Sequence, residues 1–238
     1  MLFPFVGKHY VDGDIGFWKD TIGVVRPMPS HGFARLLSFT YDVDIDGQDI
    51  NMTLEDSHQT NQHYPFNFQF TIRYRLVDAG LDVEWSLTNT GDDPMPYYAG
   101  HHFYFRVPVT RRAETTLSLP ASLRQHALVG GGLSRPVRGE QSYSLADPRL
   151  QDQFHVLQGD EPAKLDMPWQ KTSITFDLSQ SACPWYALTI WAASPDADSF
   201  CIEPWLGTPD AIHHGQGLRW LAAGDSETAL CRLRVQMG

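Results

Sequence analysis

Three short stretches set an ionisable residue among large apolar side chains: His31-Gly32-Phe33-Ala34-Arg35, Gly100-His101-His102-Phe103-Tyr104-Phe105 and Phe200-Cys201-Ile202-Glu203-Pro204-Trp205. Aromatic faces combined with a few convergent polar groups suit a sugar, and a carboxylate beside imidazoles supplies the acid and base that sugar chemistry requires. Any one stretch is equally consistent with a hydrogen-bonded residue at a strand end. Three of them, each with an aromatic neighbour, point to a site.

Other chemistries find less support. The doublets His101-His102 and His213-His214 invite a metal. Neighbours along a strand point to opposite faces, however, so a doublet gives one site at most one ligand, and no HExxH or CxxC spacing names the remaining ligands. No metal is expected. Asp42-Val43-Asp44-Ile45-Asp46-Gly47 imitates the start of a calcium loop, yet Thr53 stands at the twelfth position, where Glu belongs. Asp46-Gly47 reads instead as a hairpin turn. No GxSxG elbow, Walker loop or GxGxxG fingerprint is present, which argues against hydrolase, nucleotide and dinucleotide readings.

The elements that must position these residues are strands. Between 67 and 76, Phe68, Phe70, Ile72, Tyr74 and Leu76 alternate with Gln69, Thr71, Arg73 and Arg75. After Val77-Asp78-Ala79-Gly80, Leu81, Val83, Trp85 and Leu87 continue the alternation, which predicts an antiparallel hairpin. Similar runs occur at 50–54, 115–119, 174–178, 186–190 and 229–237, and no segment keeps helical spacing for the roughly 12 residues that a helix requires. Glycine and proline are spread between the runs, and Gly130-Gly131-Gly132 reads as a mobile loop. The fold class is all-β, a sandwich or barrel.

With 42% hydrophobic and 19% charged residues, the 238-residue chain can bury a core, and one domain over 1–238 is expected. Eighteen Lys and Arg against 28 Asp and Glu give a net charge of -10, a field that opposes binding to nucleic acid or an anionic membrane. Three cysteines without a close pair, and a start lacking signal-peptide character, lead to a cytoplasmic expectation. No apolar run approaches the roughly 20 residues of a membrane helix.

The motifs also carry a resemblance. Leu2-Phe3-Pro4-Phe5-Val6-Gly7 resembles LFPxVGR, His31 to Arg35 matches HGFAR, and Gly100 to Phe105 resembles GxHPYF. Ile202-Glu203-Pro204-Trp205 followed by Gly207 is similar to IEPWxG, and Leu221 to Asp225 is similar to LxPGE. In this order they resemble the aldose 1-epimerase (galactose mutarotase-like) family, in particular its bacterial branch with HGFAR. The resemblance implies a large antiparallel β-sandwich, the galactose mutarotase-like supersandwich, and a mutarotase interconverting hexose anomers. Glu203 would be the general base and His102 the general acid. His31 and Arg35 would hold sugar oxygens, Asp152 would be a further substrate ligand, and Trp205, Phe103 and Tyr104 would line the pocket. Lys8 stands where the family has arginine, and Phe103 where it has proline. Such a reaction needs neither metal nor organic cofactor.

The resemblance further implies strands before the LFPxVG segment that this sequence does not contain. The expectation is an N-terminally short domain with an exposed or intermolecularly paired sheet edge, as monomer or homodimer. A phosphorylated hexose would require a basic cluster, for which Lys8, Arg35, Arg73, Arg75, Arg111 and Arg112 are candidates. A noncatalytic carbohydrate-binding sandwich is the alternative. A glycosidase fits less well, because no second carboxylate stands in a motif beside Glu203.

Overall fold

The alternating run forms the hairpin Phe68–Val77 and Gly80–Asn89 in a computed structural model that describes residues 1–238. Phe70 faces Leu87 and Ile72 faces Trp85 across the ladder, and Asp78-Ala79 makes the turn. Side chains of one parity, including Phe68, Phe70, Val83 and Trp85, are buried, as period-two placement demands. Around this hairpin grows a nine-stranded sheet in the order Ser142–Ser144, Thr116–Ser118, Ala163–Met167, Thr172–Asp177, Ser226–Met237, Gly80–Asn89, Phe68–Val77, Asp49–Glu55, Thr40–Val43. A six-stranded sheet runs Phe103–Arg106, Ser199–Trp205, Ala187–Trp191, Gln153–Leu157, Ser122–Gln125, Val137–Arg138. Every pairing in both is antiparallel.

The two sheets share one apolar layer. Leu117, Leu165, Phe176 and Leu233 of the larger sheet cluster with Leu188, Ile190, Phe200 and Ile202 of the smaller. Face-to-face packing of inner side chains is the sandwich arrangement. A second cluster forms where the opening segment Leu2-Phe3-Pro4-Phe5-Val6 lies against the larger sheet. Phe3 stacks on Phe70 with ring centroids 4.5 Å apart, and Phe5 stacks on Tyr98 at 4.7 Å. Backbone bonds Leu2 N to Gly100 O (2.9 Å) and Val6 N to Tyr98 O (3.0 Å) strap the segment to residues 98–100.

Two details differ from the sequence reading and a third agrees with it. Two short helices exist, His58–His63 and Ala211–His214. The first is held by a capping box between Ser57 and Thr60, and neither is long enough to display a period. His213-His214 therefore lies in a helical turn rather than on a strand. The Asp42–Gly47 region is the expected hairpin, and its carboxylates are used locally: Asp44 Oδ1 accepts the Asp49 N–H at 3.0 Å and Asp42 Oδ2 accepts from Asn51 Nδ2 at 3.1 Å. The adjoining strand Thr40–Val43 is exposed throughout and forms one edge of the larger sheet.

One glycine joins the first motif to the second. Gly32 sits at φ +72°, and a Cβ there would lie 2.0 Å from the Phe3 carbonyl oxygen. Backbone rather than a movable side chain blocks that position. Gly32→Ala is expected to cost about 3 kcal/mol or more through left-handed strain and this clash. A thermal melt followed by circular dichroism should show a Tm lower by roughly 6–12 °C. An unchanged Tm would mean that the close approach is not a constraint.

Candidate active site

Alternation along Ser199–Trp205 decides which side chains meet the cavity. Phe200 and Ile202 enter the inter-sheet layer, so Cys201, Glu203 and Trp205 point to the other face. The register sets Thr189 opposite Glu203 and Trp191 opposite Cys201 on one side, and Tyr104 opposite Cys201 on the other. His102, two residues before Tyr104, stacks on it with centroids 4.8 Å apart. His101 turns the opposite way, buried, stacked on Phe103 at 4.8 Å and close to Trp185. The doublet thus contributes one imidazole to each face.

Above this sheet face opens a cavity of about 1040 Å³ whose lining includes Lys8, His31, Arg35, His102, Asp152, Glu203 and Trp205. All seven sequence-derived site residues are brought together. His31 adopts φ +66° in the turn that Gly32 allows. Its Nδ1 accepts the Gly7 N–H at 3.1 Å, which leaves Nε2 as the protonated nitrogen of the neutral ring. The same ring lies 5.5 Å from that of His102 and 5.7 Å from that of Trp205. Trp205 Nε1 donates to the His101 carbonyl at 3.2 Å, and Arg35 Nη2 donates to Ser30 O at 3.1 Å. Asp152 occupies a left-handed turn residue, φ 53°, just before Gln153–Leu157.

Several neighbours were not legible in the motifs. Thr189 and Trp191 line the cavity because they pair with the Glu203 strand, and Asp210 and His126 join them from loops. Asp210 accepts from Tyr10 N (3.3 Å) and pairs with His213 Nδ1 (2.7 Å), which ties the segment after Lys8 to the short helix. The glycine loop, expected to be mobile, forms a wall through Leu128, Val129, Gly130 and Gly132. Tyr104 lines the cavity, whereas Phe103 packs into the core. Of the basic candidates, Arg73 and Arg75 pair with Asp49, Arg111 with Glu114, and Arg112 bonds the carbonyls of Pro195 and Ala197. Lys8 and Arg35 are the members of that group on the cavity wall.

Burial dominates the electrostatics. The Glu203 side chain is 2% exposed, and His102 Nε2 lies 3.4 Å from its Oε1. Desolvation pushes the Glu203 carboxyl up to about 8, with Asp152 adding and the Trp205 indole opposing. Desolvation, then the N-terminal amine and Arg35, pushes His102 down to about 4. His31 is pushed down to about 3 by burial and then by His102, Arg35 and Lys8. Between about 4 and about 8 the Glu203–His102 pair therefore holds one proton, resident on the carboxyl in the free protein. A protonated His102 beside an ionised Glu203 is the other arrangement of that same proton, which burial of both groups disfavours. Glu203 Oε2 and His102 Nδ1 are buried without hydrogen-bond partners in the protein.

His102, Cys201 and Glu203 bring one nitrogen, one sulfur and one oxygen within 4.8 Å of one another. Cys183, Cys201 and Cys231 are all free and buried. No helix is long and apolar enough to cross a membrane.

Comparison with known proteins agrees with this architecture. The Slr1438 protein of Synechocystis sp. PCC 6803 superimposes with a TM-score of 0.84 at 23% identity, covering 100% of this chain and 77% of that one. A galactose mutarotase related enzyme of Lactobacillus acidophilus gives 0.84 at 22% identity, covering 99% of this chain and 81% of that one. Among curated sequences, the uncharacterized protein YphB of Escherichia coli (strain K12) is 26% identical over 180 residues, 72% of this chain. The match spans 61% of the length of YphB, less than two thirds. The structural neighbours share the galactose mutarotase-like sandwich, and the profile described as Aldose 1-epimerase matches residues 14–133. The chain belongs to the aldose 1-epimerase family.

Proposed function

We propose that the protein is an aldose 1-epimerase that interconverts the α and β anomers of a hexose. The observation that carries this reading is the close Glu203–His102 pair on the floor of a cavity whose walls present His31, Arg35, Asp152 and Lys8. Binding of a sugar draws the shared proton from Glu203 to His102, since the anomeric hydroxyl hydrogen-bonds best to a carboxylate and the ring oxygen to an imidazolium. Glu203 then removes the proton from the anomeric hydroxyl. The freed O–H electron pair becomes the carbonyl bond, the bond from C1 to the ring oxygen breaks, and His102 protonates that oxygen. Rotation about C1–C2 and reclosure by the reverse steps give the other anomer. Acid and base regain their starting states, so the cycle calls for no cofactor.

The remaining side chains hold the sugar. His31 Nε2–H and the Arg35 guanidinium donate to its oxygens, Asp152 accepts from its hydroxyls, and the Trp205 indole offers an apolar face. Lys8 and Arg35 in the cavity lining favour inclusion of a phosphorylated hexose, whereas Asp152 and Asp210 in the same lining disfavour a dianion. Unpaired thiols suit a reducing, cytoplasmic setting.

Exchange NMR on galactose, glucose and glucose 6-phosphate tests the reading against the buffer-catalysed rate. Glu203→Gln should lower the protein's acceleration by about 1,000-fold and His102→Asn by about 100-fold, within the range of general acid–base catalysis. A folded wild-type chain with no acceleration would replace the enzyme by a noncatalytic carbohydrate-binding sandwich. The pH profile should be bell-shaped, because only the singly protonated pair reacts. Below about 4 it carries two protons and lacks a base, and above about 8 it carries none and lacks an acid. A rate still rising well above pH 8 would contradict this pairing.

A further inference from the structure

The sequence offers no metal-ligand spacing, because the ligands that the fold assembles are not spaced as a motif. Cys201 and Glu203 are two apart on one strand, which places both on the same face of the sheet, and His102 enters from the neighbouring strand's start. Their donor atoms lie within 4.8 Å of one another. Two ligands about 2.0–2.1 Å from a tetrahedral zinc ion stand roughly 3.3 Å apart. His102 Nε2 and Glu203 Oε1 are separated by 3.4 Å. A thiolate at about 2.3 Å from the ion stands roughly 3.5 Å from its companions, so Cys201 has to close by little more than about 1 Å. The carboxyl has a second, independent mark: Glu203 is 1% exposed and its Oε2 has no hydrogen-bond partner.

We infer that His102, Cys201 and Glu203 form a site for a thiophilic divalent cation, zinc in the first instance, and that its occupation blocks the sugar chemistry. The thiol and carboxyl protons leave to solvent as the Zn–S and Zn–O bonds form, so two anionic ligands neutralise the dication in a buried place. His102 and Glu203 line the cavity, so a fourth ligand can come from its contents. Sulfur and imidazole donors select zinc or cobalt over magnesium and calcium, which prefer oxygen. The blockade rests on the proposed epimerase reading, since the metal takes both the acid and the base. Binding itself does not depend on that reading.

The test uses the full chain and cobalt(II) as a spectroscopic probe. Wild-type protein should show a thiolate-to-cobalt charge-transfer band in the near ultraviolet that zinc abolishes by displacement and magnesium does not. Cys201→Ser, with Cys183 and Cys231 retained, should lose the band, and its zinc affinity should fall more than about 10-fold, the loss already typical of second-shell changes. Cys201→Ala and the circular dichroism of both variants guard against misfolding. Each protein's anomer exchange is compared with its own zinc-free rate: at a zinc concentration about ten times the wild-type Kd, the wild type should slow about 10-fold and either variant about twofold or less. No band from wild type, or an undiminished band in folded Cys201→Ser, overturns the site. A band with an unaffected rate overturns the blockade. A band from a chain with no epimerase activity leaves the metal site standing and removes the reaction.

Discussion

The backbone pairing between Phe103–Arg106 and Ser199–Trp205 is the constraint on which the rest of the site depends. It continues past the named strand through the His101 N–H to the Pro204 carbonyl at 2.9 Å. A slip of one residue would send His102 into the core and bring buried His101 to the cavity. It would equally break the contact between His102 and Glu203, the only carboxylate on that strand. The inter-sheet layer fixes the register, because Phe200 and Ile202 are buried against the larger sheet and no other parity satisfies them.

Burial that secures the register also sets the chemistry. Placing Glu203 under the indole and imidazole rings holds its proton and strips His102 of one, so the reactive pair starts as two neutral groups. Neutral partners in an apolar surround avoid the desolvation cost of a separated ion pair. Charge appears when a ligand supplies hydrogen bonds to both groups. His31 contributes to the same economy of charge: burial, then His102, Arg35 and Lys8, keep its ring neutral, and the Gly7 N–H on its Nδ1 leaves Nε2–H available.

Much of this was legible in the sequence, for identifiable reasons. The hairpin from Phe68 to Asn89 announces itself because one face is wet and the other dry, so polarity alternates. The strand bearing Glu203 does not alternate, since its outer face is also buried beneath a cavity, and it is a carboxylate among large apolar side chains, together with the order of motifs, that marks it. Thr189, Trp191 and Asp210 escaped notice because strand register and loop return, not local spacing, bring them to the cavity. Composition predicts a mobile glycine loop, and its position against Tyr10 and Asp210 is a property of the folded chain that composition does not carry. The short helices lacked the length to show a period.

Glu203 stands on an interior strand that has hydrogen-bonded neighbours on both sides, and His102 sits at the start of the edge strand paired to it, while Lys8, His126, Asp152 and Asp210 hang from turns and loops at the rim. Amides in such interior ladders exchange with solvent only through the largest openings of the molecule, whereas rim segments open at little cost. Evolution can therefore rewrite the rim, and with it the shape of sugar admitted, without loosening the floor. Heat would act in the opposite order, disturbing selectivity first and destroying the acid–base pair only when the sandwich itself melts.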